Sequence, residues 1–101
     1  MSDKLVRAFD TLTNAPKESG GSSLPGQSGI SERLNACRVV VEFVCGEENK
    51  KNKDFQKFFA VSISALLRAH DDVDSSVRIL AQECLNTIVK VLILVLFIYF
   101  T

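Results

Sequence analysis

The stretch from Asp71 to Leu92, DDVDSSVRILAQECLNTIVKVL, constrains the fold of this chain most. Val77, Ala81, Cys84, Leu85, Ile88 and Leu92 recur at i, i+4, i+7, i+8, i+11 and i+15, which is one face of a helix with 3.6 residues per turn. Arg78, Gln82, Glu83, Asn86 and Lys90 fall largely on the other side. Asp74, Ser75 or Ser76 can cap the helix start by accepting hydrogen bonds from its free backbone N–H groups, and the acidic turn suits the positive end of the helix dipole. A helix with one apolar face needs something to lay it against, so the segments before it are read for partners.

Two further segments have the same character. Ser31 to Cys45 predicts a helix with Ser31 as cap, Glu32 in the first turn, and Gly46 just past the end. Its apolar face is Leu34, Cys37, Val41, Val44 and Cys45; the β-branched run Val39–Val41 makes a strand the competing reading, but length and caps favour helix. Asp54 to Ala69 predicts another helix, capped by Asp54, with Phe55, Phe58, Phe59, Ser62, Ile63, Leu66 and Leu67 on a broad apolar face. Between the two lies GEENKKNK, where Lys50, Lys51 and Lys53 read as a solvated loop without the aromatic or glycine partners of a phosphate or nucleic-acid site.

The first thirteen residues predict a short amphipathic helix, with Leu5, Ala8, Phe9 and Leu12 on one side, Asp3, Lys4, Arg7 and Asp10 polar, and Ser2 a plausible cap. Alone in water a helix of that length is marginal, so a membrane surface or a partner would stabilise it. Its mixed charge predicts that membrane attraction through residues 1–13 is weak. Residues 14–30 contain both prolines and most of the glycines, a composition that cannot bury enough apolar surface to offset its ordering entropy, and predict a disordered linker.

At the other end, Val91 to Phe100 reads VLILVLFIYF, ten apolar residues without a break. A spanning helix needs about twenty, and reading backwards meets Lys90 and Asn86. The stretch is thus expected to be too short to span unless it is a marginal tail anchor using Ile88 to Phe100, and otherwise to mark a truncated piece of a longer chain.

Composition narrows the function. Lys plus Arg equals Asp plus Glu at twelve each, so no basic field points to nucleic acid. Cys37, Cys45 and Cys84 are odd in number and form no CxxC pair, which gives neither a disulfide framework nor a zinc signature and suits reduced core cysteines in the cytosol. The charged N-terminus is no secretory signal. His70, beside Asp71 and Asp72, is the single histidine, with no second ligand nearby. No nucleophile and base stand at a useful spacing. The chain is expected to be no enzyme and to have no catalytic, cofactor or metal site and no small-molecule substrate.

The turn Asp72 with Val77-Arg78, Ala81 and Leu85 resembles the turn and second helix of a HEAT repeat. With Lys4–Leu12 in the first helix, Arg33-Leu34-Asn35, Asp54-Phe55-Gln56-Lys57 and Glu83-Cys84-Leu85-Asn86, the chain resembles the amino-terminal region of the huntingtin family of α-solenoids. The linker departs from it, holding one glutamine, Gln27, so polyglutamine behaviour does not carry over.

The resemblance implies an all-α chain. It would comprise an amphipathic, mobile helix over 1–13, a linker over 14–30, antiparallel HEAT-like helices over 31–92 amounting to about one and a half repeats, and an apolar tail over 93–101. It implies a non-enzymatic scaffold for protein–protein interactions in vesicle trafficking, cytoplasmic, with access to membranes and the nucleus. The partners implied are huntingtin-associated and motor-adaptor proteins. Leu5, Phe9 and Leu12 match the family's membrane- or partner-binding face, Thr11 falls at a phosphorylatable position, and Asp72 and Arg78 match the ladder between repeats. The alternatives are a small tail-anchored membrane protein and a generic HEAT or armadillo binding module. With so few repeats, the isolated chain is expected to be marginally stable.

Overall fold

The computed structural model of the chain describes residues 3–15, 29–46, 49–51 and 53–100. They form four α-helices: α1 (Asp3–Thr13), α2 (Ile30–Cys45), α3 (Phe55–Ala69) and α4 (Ser75–Phe100), with a short 3-10 turn at Asn49–Lys51. The run Val39–Val41 is helical throughout, as the length of the segment favours. Residues 16–28 of the expected linker and the expected cap Ser2 lie outside the described residues.

Two contacts fix the helix directions. Arg68, in the last turn of α3, donates from Nη2 to the carbonyl oxygen of Ala15, just past α1. Arg33, near the start of α2, pairs with Asp72, just before α4. α1 and α3 therefore finish at the end of the bundle where α2 and α4 begin, and consecutive helices run antiparallel. α1 lies beside α2 and α3, and α4 beside α2 and α3. The result is two stacked hairpins, α1–α2 and α3–α4, in the HEAT-like arrangement expected, except that α1 is not a separate mobile helix. It is the first helix of the first hairpin, because Leu5, Ala8 and Leu12 at i, i+3 and i+7 are buried against the neighbouring helices. Arg68 also places a positive charge at the C-terminal end of a helix that has no basic residue in its own last turn.

The core is built from small and medium side chains. Ala8, Ala36, Ala65, Ala69 and Ala81 let the backbones approach, and Leu12, Val40, Val44, Leu66, Val77 and Ile88 fill the remaining space. The buried line of α4 is Val77, Ala81, Cys84 and Ile88, as the spacing predicts, but Leu85 is half-buried and Leu92 is exposed. In α2 the buried line is Arg33, Ala36, Cys37, Val40 and Val44, rotated from the predicted face, so that Val40 replaces Val41 at its centre. The rotation follows from Arg33, whose charge is drawn inward by Asp72. In α3, Ser62, Ala65, Leu66 and Ala69 are buried, Phe55, Phe58 and Phe59 only half so, and Leu67 is exposed. The buried Ser62 hydroxyl is satisfied by donating to the Phe58 carbonyl at 2.7 Å.

The caps also differ in detail. α2 starts at Ile30 after Gly29, which puts Ser31 inside its first turn rather than at the cap. Asp74 caps α4, its Oδ1 accepting from the backbone N–H of Ser76 at 2.8 Å and of Val77 at 3.3 Å. At the end of α2, Asn49 donates from Nδ2 to the Phe43 carbonyl at 3.0 Å and folds over Gly46, where a Cβ would sit 2.6 Å from that nitrogen.

α4 does not stop at Leu92. It continues for 26 residues in all, about 39 Å at 1.5 Å per residue. Cys84 lies level with Cys37, its Sγ 3.8 Å from the Cys37 carbonyl oxygen. Since α2 and α4 run the same way with equal rise, Cys45 at the end of α2 falls level with Leu92. Beyond that point α4 projects past the bundle.

Candidate functional site

The most organised polar feature is the turn between α3 and α4. Arg33 donates from Nε to Asp72 Oδ2 at 2.7 Å and from Nη2 to Oδ1 at 3.1 Å, a two-pronged pair. Both partners are buried, with Asp72 at 0% exposure and Arg33 at 5%. Asp72 Oδ1 also accepts from the backbone N–H of Asp74 at 2.8 Å, which shapes the turn into α4. Arg78, one turn along, donates from Nη1 to the carbonyl oxygens of Asp72 at 2.8 Å and Val73 at 3.1 Å. Asp72 and Arg78 are thus brought to one turn, Arg78 on backbone carbonyls and the Asp72 carboxylate on Arg33. In the sequence Arg33 stands out only as part of Arg33-Leu34-Asn35, with no role assigned to its charge. The signal was present: Arg33 precedes Ala36, Cys37 and Val40 by three, four and seven residues, which places it on the buried line and demands a buried acid.

In this structure the α1 face expected to meet a membrane or a partner is turned into the bundle. Leu5 and Leu12 are 3% and 0% exposed and Phe9 is half-buried, all in the shared core. Membrane association through residues 1–13 therefore requires α1 to leave the bundle. Thr11 is half-buried and lines a groove between α1 and α2, with Lys4, Arg7, Ala8, Glu32, Asn35, Ala36 and Val39. At about 220 Å³ the groove is smaller than the roughly 300–1,000 Å³ of small-molecule sites.

The cysteines are reduced, Cys37 and Cys84 buried and Cys45 half-buried. Burial pushes the Cys37 thiol up to about 12, with Cys84 and Asp72 adding to the rise. Burial and then Glu83 raise Cys84. His70 is an exposed residue at the end of α3, and no cluster of three or more metal-ligating side chains occurs among the described residues.

At the opposite end from the Asp72 turn, Phe43 meets Phe55 with ring centres 5.6 Å apart and Phe58 edge-on at 6.3 Å, and Phe55 meets Phe59 at 5.9 Å. The exposed end of α4 projects from this end. By length and composition, Ser75–Ile98 is apolar enough to cross a membrane, a longer stretch than the tail anchor over Ile88 to Phe100 that the sequence suggests. The first half of that helix, however, is core.

The fold and its contacts define an all-α module of stacked antiparallel helix pairs, pinned at one end by a buried arginine–aspartate pair. Its sequence is similar to that of huntingtin-type proteins. Over 89 residues it is 35% identical to the HD protein homolog of Dictyostelium discoideum, covering 88% of this chain and 3% of that protein. Over 99 residues it is 26% identical to huntingtin of Takifugu rubripes, covering 89% of this chain and 3% of that protein. The chain thus spans about 3% of the length of these relatives. No family model matches the sequence, and no solved structure matches the chain.

Proposed function

We propose that the chain is a huntingtin-like, non-enzymatic helical scaffold segment that presents its outer helix faces to other proteins in intracellular vesicle trafficking. The observation that carries this reading is the similarity to huntingtin-type proteins across nearly nine-tenths of the chain. The packing agrees with it: the helices are spent on one another, while Val61, Leu67, Val73 and Ile79 remain exposed outside the core. The partner class carried over from the resemblance is huntingtin-associated and motor-adaptor proteins, met in the cytoplasm.

The test offers cytosol to the immobilised full chain and to a Leu67→Asp, Ile79→Asp variant. These positions are 57% and 61% exposed, so the fold tolerates the change. Recovery of motor-adaptor or huntingtin-associated proteins by the wild type, reduced at least about tenfold in the variant, is the expected result. Equal recovery by both, or none by either, rejects the reading.

A further inference from the structure

The end of α4 differs from the other surfaces formed by the described residues. From Gln82 to Lys90 the helix keeps an ordinary polar stripe, with Gln82, Glu83, Asn86, Thr87 and Lys90 exposed. After Lys90 there is no charged residue, and Leu92, Ile93, Leu94, Leu96 and Ile98 are between 41% and 72% exposed. At 100° per residue these five positions spread over more than half the helix circumference. A neighbouring helix pair would cover one side only. A helix that is apolar all round has to be enclosed or to sit in lipid.

Length decides how it sits. Within Ser75–Phe100, a span of about twenty residues begins near Ile79 and includes Ala81, Cys84 and Ile88, which hold the core together. The part clear of the bundle, residues 93–100, is about 12 Å long, close to the roughly 15 Å hydrocarbon depth of a single leaflet. The surroundings of its root fit a membrane surface. Lys4, Lys51, Lys53, Lys57 and Lys90 are exposed at this end and, among the described residues, outnumber the acids there, Asp3, Glu42 and Asp54. The half-buried Phe43, Phe55 and Phe58 cluster stands at the same level and adds apolar surface around the root of the helix end. We propose that residues 93–100 insert into one leaflet of a phospholipid bilayer while the bundle remains folded on its surface, with the lysine-bearing end facing the headgroups.

The experiment uses the full chain and phosphatidylcholine vesicles with and without phosphatidylserine. The chain has no tryptophan, so Ile98→Trp supplies a single reporter. Expected results are flotation with the vesicles, stronger with phosphatidylserine, and a blue-shifted Trp emission quenched by lipids brominated along their chains. The Leu94→Asp, Ile98→Asp variant, whose sites lie outside the core, is expected to keep the helical spectrum and lose at least about a hundredfold in partitioning. Flotation of that variant as strong as wild type overturns the proposal in favour of α1. Absence of flotation, with a blue shift only in a sedimenting dimer, overturns it in favour of a second copy. Rapid thiol labelling of Cys37 on vesicle binding overturns it in favour of the whole of α4 leaving the bundle.

Discussion

Removing the Asp72 carboxylate is the sharpest perturbation available in this fold. Asp72→Ala takes away two N–H···O bonds from Arg33, at 2.7 and 3.1 Å, and one from the Asp74 backbone at 2.8 Å. It leaves a guanidinium in a site only 5% exposed. Breaking a buried pair from one side costs about 3–5 kcal/mol, because the remaining charge is uncompensated. A chain of 101 residues has about 5–15 kcal/mol of stability in total, so the loss is a large share of it. At about 4–8 °C per kcal/mol, the thermal midpoint should fall by roughly 12–40 °C. Urea unfolding followed by circular dichroism at pH 7 measures this directly. The discriminating variant is Arg33→Met with Asp72→Ala, which removes both charges and restores an apolar filling. It should be less destabilised than the sum of the two single changes by about 2 kcal/mol or more. Single variants that each cost under about 1 kcal/mol and add without coupling would refute the reasoning, since they would mean that water, not the partner, satisfies each group.

Leu12→Ala, at a site with 0% exposure, should cost about 2–5 kcal/mol in the same urea assay, a loss that a mobile first helix would not show. Cys37 supplies a pH dependence: its thiol titrates near 12 in the fold against an ordinary value of 9.0, so the unfolded chain loses its proton first. Stability should hold below about pH 9 and fall between pH 9 and 12, by at most about 1.4 kcal/mol per unit from this group, and Cys37→Ala should flatten the fall in alkaline melts. α1 ends and α2 begins at the same end of the bundle, so doubling the length of chain between Ala15 and Gly29 with Gly and Ser should cost only about 0.6 kcal/mol in urea unfolding.

Helix positions were legible because they rest on local rules. The apolar period from Val77 to Ile88, the acidic cap and the Gly46 stop depend on neighbours within a few residues, and each helix was found within a residue or two at its start. The orientation of the faces was less legible. For α2 the count of apolar residues pointed to Leu34 and Val41, whereas the buried line runs through Arg33 and Val40. A charged residue counts against burial in any hydrophobic pattern, and only its partner thirty-nine residues away reverses the sign. Asp72 was legible as a special turn residue, but the sequence resemblance set it beside Arg78. The geometry gives Arg78 to the turn carbonyls and the carboxylate to Arg33.

The two ends of the chain show why an apolar face in a sequence is a demand without an address. Both α1 and the end of α4 carry apolar surface that water disfavours, at about 25 cal/mol per Å². α1 is eleven residues long and has its apolar residues on one side, so a single groove between α2 and α3 satisfies it, with a polar back left to solvent. That groove exists because Ala36, Ala65 and Ala69 are small, a property of other helices that the α1 sequence does not contain. The end of α4 has no polar back and lies beyond the level where α2 ends, so the bundle cannot satisfy it whatever its sequence. The same physical demand therefore places one helix inside the fold and leaves the other for an environment that surrounds it, and helix length relative to the neighbours, more than hydrophobicity, separates the two outcomes.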